Sequence, residues 1–191
     1  LFDNESEKGY TRMSKLKMVI DQPISYTSNF KKIITYYLFE SPIEDTSARG
    51  TLLSEYGWKG SSRLTMLLRL MQAVADIDDP NWIICSRNEV KTNASHFPSE
   101  QIHMVCNNDK GKAKSIIYAV RNAFAHGSFN VKKINGKIVY IFENHNKGML
   151  CAEITVTENT LLNWIKLFKT KPEHLTVKER KGKEIRFDDE K

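Results

Sequence analysis

Cysteine is scarce. Cys85, Cys106 and Cys151 are the only three, far apart and without a C-x-x-C spacing, so neither a disulfide framework nor a zinc ribbon is indicated, and a reducing, cytoplasmic setting fits best. No apolar run approaches the roughly 20 residues that a membrane-spanning helix needs. The opening LFDNESEKGY is acidic and polar, unlike a signal peptide. His96, His103, His145 and His174 show no H-x-x-x-H spacing with a carboxylate, so neither a metal nor a cofactor is expected. No pair of carboxylates stands out for glycosidase-type acid–base work, and no internal repeat is visible.

What is present suits one hydrophobic core. The chain has 191 residues, 40% of them hydrophobic, which favours a single domain over 1–170 followed by a charged, mobile tail over 171–191. Its net charge of +6 is compatible with a polyanionic partner without requiring one.

Helical periodicity appears four times. Phe30, Ile33, Ile34, Tyr37 and Leu38 predict a helix over 28–40, with Thr27 or Ser28 as N-cap and Pro42 as stop. Leu64, Leu67, Leu68, Met71, Val74 and Ala75 predict a second over 62–78. A third spans 111–126, apolar at Ala113, Ile116, Ile117, Val120, Ala123 and Phe124 and ended by Gly127. The fourth covers 158–169, capped by Thr157. Between the last two the period falls to 2. Asn135-Gly136 supplies a tight turn between strands at 128–134 and 137–143, and a third strand at 149–156 follows the turn at NHNKG. NWIIC, at 81–85, reads equally as a buried strand or a short helix. The expected fold is therefore mainly α, a helical bundle carrying a small three-stranded antiparallel β appendage.

The stretch RNAFAHG, 121–127, concentrates chemistry in the last turn and a half of the third helix. Asn122 and His126 are i, i+4 neighbours, so the amide can orient the imidazole. Arg121 stands about 140° around an ideal helix from His126, so the two do not stack: either the helix end distorts, or the groups converge on a ligand in a cleft that a second copy of the chain completes. The carbonyl end of a helix favours a protonated imidazole suited to proton transfer. A guanidinium matches two phosphate oxygens and the extra charge of a phosphorane. RNA brings its own nucleophile, the 2′-hydroxyl, so such a pair needs no metal.

This string at a helix end resembles the HEPN superfamily, marked by Arg, a polar residue such as Asn, then three or so residues and His. The resemblance implies a helical bundle, a homodimer and a metal-independent endoribonuclease in a toxin–antitoxin, phage-defence or RNA-processing setting, with RNA as substrate and an antitoxin protein as a further partner. The strands before the last helix look like the embellishment of a plasmid- and phage-associated branch. Carried over by position, Arg121 and His126 are the catalytic pair and Asn122 their polar support. Some members carry a tyrosine two residues after the histidine that an antitoxin nucleotidyltransferase modifies. Ser128 stands there in this chain, so that route of control is not implied. The detailed likeness covers about ten residues, and the helix order extends it loosely over 28–169.

Four cations are candidate substrate contacts. Lys59 and Arg63 flank serines at the start of the second helix, where a phosphate can sit, although simple N-capping explains the serines as well. Lys132 and Lys133, on the hairpin, form either a basic strip near the motif or the solvated face of an edge ribbon. Two other readings of the motif remain open: a module that binds RNA or a nucleotide without cutting it, and a dimerisation protein in which Arg121 snorkels and His126 caps free carbonyls.

Overall fold

The computed structural model describes residues 27–42, 50–75, 81–85, 100–106, 111–180 and 184–187. The first helix, α1 (Ser28–Thr35), starts at Thr27, whose hydroxyl accepts the Phe30 N–H at 3.2 Å. It runs into a π-helical turn, Tyr36–Glu40, closed by Ser41 N–H on the Tyr36 carbonyl at 2.7 Å. The extra residue per turn lets two successive aromatics, Tyr36 and Tyr37, both enter the core. Helix α2 is Gly60–Ala73, α3 is Gly111–His126 and α4 is Glu158–Lys169.

Five strands form one sheet: β1 (Asn81–Cys85), β2 (Gln101–Val105), β3 (Phe129–Ile134), β4 (Lys137–Asn146) and β5 (Met149–Thr157), in the order β1-β2-β5-β4-β3. The pairs from β2 to β3 are antiparallel, and β1 joins β2 in parallel at the edge. The chain is therefore mixed α/β, and the expectation of a mainly α bundle with a three-stranded appendage is corrected. The strands after α3 are no appendage. Phe129, Val131, Tyr140, Phe142, Ile154 and Val156 lie in the same core as Ile33, Tyr37, Phe124, Leu161 and Phe168. Phe124 of α3 sits 4.9 Å, centroid to centroid, from both Phe129 and Phe142, so the period-2 stripe is the floor on which the helices rest.

Two positive-φ turns set the hairpins. Asn135 (φ 49°) and Gly136 (φ 80°) join β3 to β4, and Lys147 (φ 50°) and Gly148 (φ 81°) join β4 to β5. Near the second turn the register slips. His145 pairs with Leu150 but Asn144 pairs with Ala152, leaving Cys151 as an extra, bulged residue on β5.

Buried polar contacts tie distant elements together. Glu100, 1% exposed, accepts the Thr157 N–H at 2.9 Å, the Thr157 hydroxyl at 2.8 Å and the Thr160 hydroxyl, placing a carboxylate at the positive end of α4. The Trp164 indole donates to the Met71 carbonyl at 3.1 Å, fastening α4 to the end of α2. The segment expected to be a mobile tail contains a 3-10 turn, Pro172–His174, and a two-stranded antiparallel ribbon, β6 (Leu175–Arg180) with β7 (Glu184–Phe187). Helix α2 ends at Ala73, and residues 76–78 of the second expected helix lie outside the described residues. No helix among the described residues is long and apolar enough to cross a membrane.

Candidate functional site

Helix α3 ends as its sequence dictates. Gly127 adopts φ 65°, its N–H reaches the Phe124 carbonyl at 3.2 Å, and the Ser128 N–H reaches the Ala123 carbonyl at 2.8 Å, which is the Schellman arrangement. The apolar residues of the preceding turns face the core. Arg121, Asn122 and His126 are left on the remaining arc, Arg121 and Asn122 half-buried and His126 exposed.

The three side chains meet only in part. Arg121 Nη1 donates to Asn122 Oδ1 at 3.3 Å, while Arg121 Nε is buried without a hydrogen-bond partner. Asn122 thus orients the guanidinium rather than the imidazole. Among the described residues no hydrogen bond joins His126 to either of them. On an ideal helix the five-residue step from Arg121 to His126 also adds about 7.5 Å along the axis, so only a ligand of nucleotide dimensions, or a second protein surface, spans both groups.

Strand β4 braces this end of the helix. Glu143 N–H donates to the Ser128 carbonyl at 2.9 Å, immediately after the helix stop. The Asn144 side-chain amide donates to the Ala119 carbonyl at 2.7 Å, one turn before Asn122. The core face of Phe124 and these two polar ties hold the motif on a rigid element, as precise positioning of a site requires.

The other cations named from the sequence do not gather here. Lys59 is itself the N-cap of α2 and makes no side-chain cap bond, so the serines are not the cap. Arg63 is engaged by its own loop, with Nη1 donating to the Gly57 carbonyl at 2.5 Å. Lys132 and Lys133 lie on β3, the outer strand of the sheet, Lys133 exposed and Lys132 half-buried. Among the described residues no hydrogen bond or ion pair connects any of the four to Arg121 or His126.

A second polar group escaped the sequence reading. On the sheet face turned away from the helices, His103 of β2, Glu153 of β5 and Glu143 of β4 stand in one row across three strands. Burial pushes the Glu143 carboxyl above its ordinary range, and the neighbouring Glu153 pushes it further. Burial likewise raises Glu153, an effect that His103 partly offsets. Beyond Glu143, the His145 Nε2 lies 3.9 Å from its Oε2. The only signal in the sequence was a pair of glutamates ten positions apart on a hairpin. The tight turn alone would have set Glu153 opposite Phe142; the bulge at Cys151 sets it opposite Glu143.

Comparison with family models, with curated proteins and with solved structures finds no match.

Proposed function

We propose that this protein is a metal-independent endoribonuclease whose site is the C-terminal end of α3. The observation that carries this reading is a guanidinium with a buried, unpartnered Nε, held by Asn122 one turn away from an exposed imidazole at a braced helix end. Arg121 would hold the scissile phosphodiester and stabilise the charge that builds on its oxygens. His126 would take the proton from the 2′-hydroxyl or give one to the departing 5′-oxygen. The 2′-oxygen forms a bond to phosphorus, the bond from phosphorus to the 5′-oxygen breaks, and the products carry a 2′,3′-cyclic phosphate and a 5′-hydroxyl. A single imidazole serves one of the two proton transfers. A homodimer that sets two α3 ends together would supply the other and would close the angular gap between Arg121 and His126.

The test is digestion of RNA in EDTA by wild type, Arg121→Ala and His126→Ala, with analysis of the product ends. The reading requires cleavage by wild type, cyclic phosphate ends and loss of activity in both variants. Activity that depends on added metal, or that survives both substitutions, rejects it.

One observation favours a second reading, a non-cleaving RNA- or nucleotide-binding module: His126 bonds to neither member of the Arg121–Asn122 pair. Under single-turnover conditions that module would bind RNA and release it unchanged.

A further inference from the structure

On the sheet face opposite the helices, Glu143, Glu153 and Asn130 present hydrogen-bond acceptors that have no Lys or Arg partner among the described residues. Glu143 and Glu153 are direct cross-strand partners, a relation that brings Cβ atoms to about 5 Å. Like charges at that spacing destabilise a sheet, and half-burial makes the cost larger. The sequence has 29 Lys and Arg residues. Even so, among the described residues neither carboxylate has a Lys or Arg partner, and His145, at 3.9 Å from Glu143, is too far for a hydrogen bond.

An independent feature lies on the same face. Asn130 of β3 pairs with Ile141, two residues before Glu143 on β4, so its side chain shares their side of the sheet. Asn130 is only 5% exposed, and its Oδ1 has no hydrogen-bond partner. A buried amide oxygen left unmet on the same face as two half-buried carboxylates is unfavourable in isolation. Among the described residues none of the three accepts a hydrogen bond from a cationic side chain, although the His145 and His103 imidazoles stand near Glu143 and Glu153.

The neighbours limit what that donor can be. His103, beyond Glu153, lies with its Nε2 2.6 Å from the Gln101 amide nitrogen. Lys132, on the same face of β3, pairs with Val139, four residues from Glu143 along β4, and has no ion pair with either glutamate. Among the described residues no three His, Cys, Asp or Glu side chains are placed to hold a metal ion. A planar cation with several N–H donors suits two facing carboxylates and an amide oxygen better than a compact ammonium does.

We infer that the Glu143–Glu153–Asn130 face is a binding site for a guanidinium group, carried either by a small guanidine compound or by an arginine side chain of a peptide. The site is on the opposite side of the sheet from α3, so it stands or falls independently of RNA cleavage. A bound cation favours ionised carboxylates, so binding releases protons in mildly acid solution and tightens as pH rises toward neutrality.

Calorimetric titration of the full chain with agmatine, with an arginine-containing tripeptide and with putrescine, at pH 5.5 and pH 7.5, tests this. Agmatine or the peptide should bind more tightly at the higher pH, and the tighter of the two identifies the source of the guanidinium. Glu143→Gln and Glu153→Gln should each weaken that binding by at least about tenfold. Because both substitutions relieve repulsion, their melting temperatures should equal or exceed that of wild type, which separates lost binding from lost folding. The inference is overturned if neither guanidine probe binds, if both Gln variants bind as wild type does, or if putrescine binds as tightly as agmatine.

Discussion

Thr157 and Glu100, 57 residues apart in the chain, share two hydrogen bonds to one carboxylate oxygen: the Thr157 N–H at 2.9 Å and its hydroxyl at 2.8 Å. The Thr157 hydroxyl in turn accepts the Thr160 N–H at 3.2 Å. The start of α4 is thus capped twice, by a neighbour and by a distant residue. Glu100→Ala would remove the buried acceptor shared by the Thr157 N–H and the Thr157 and Thr160 hydroxyls and is expected to cost about 2–4 kcal/mol. Urea denaturation measures it. A change below a few tenths would show that the carboxylate is dispensable.

The turn between β4 and β5 stores strain at Lys147, a side-chain-bearing residue at φ 50°. Asn or Gly adopts that conformation more readily. Lys147→Asn is therefore expected to stabilise the protein by about 0.5–1 kcal/mol. Its thermal melt is the check, and an unchanged or lower midpoint would contradict the strain argument.

The facing glutamates give stability a slope with pH. Glu143 and Glu153 both have folded pKa values raised above their unfolded ones, by burial first. Groups raised in this way bind protons more readily when folded. Their favourable contribution is complete below the unfolded carboxylate value, near 4.3, and is lost as pH rises through the raised folded values. Glu153→Gln should remove part of that loss. Denaturation midpoints from pH 4 to pH 7 should fall less in the variant than in wild type, and parallel curves would refute the assignment.

If α3 carries a nuclease site, its three side chains should differ in weight. His126→Ala should lower the rate constant by about 100-fold or more, the usual contribution of a general acid or base. Arg121→Lys keeps the charge but loses the planar fork, and should also be severely impaired. Asn122→Ala leaves Arg121 in place without its 3.3 Å tether, so a milder loss, about tenfold, is expected from misplacement of the guanidinium. Single-turnover cleavage of a defined RNA distinguishes the three, and an Asn122 effect as large as that of His126 would give the amide a direct role.

The limits of α1 with its π-turn, of α3 and of α4 were legible in the sequence, as were the Thr157 cap, the Gly127 stop and the Asn135-Gly136 turn, while the structure chose Thr27 over Ser28 as the cap of α1. Each depends on contacts within about five residues, where side-chain type and backbone angle decide the outcome locally. The same locality made RNAFAHG visible as a unit on one helix end.

Tertiary structure decided the rest. The five-residue strand QIHMV has no periodicity long enough to declare itself, and it became β2 only by pairing with β5. That pairing, together with the shared core, turned an expected appendage into the central sheet. The bulge at Cys151 chose which glutamate faces which, and Asn122 found Arg121 rather than His126. Hydrogen bonds between residues distant in the chain, and side chains competing for one partner, are settled only when the whole core closes, because each contact's value depends on what the other elements have already buried.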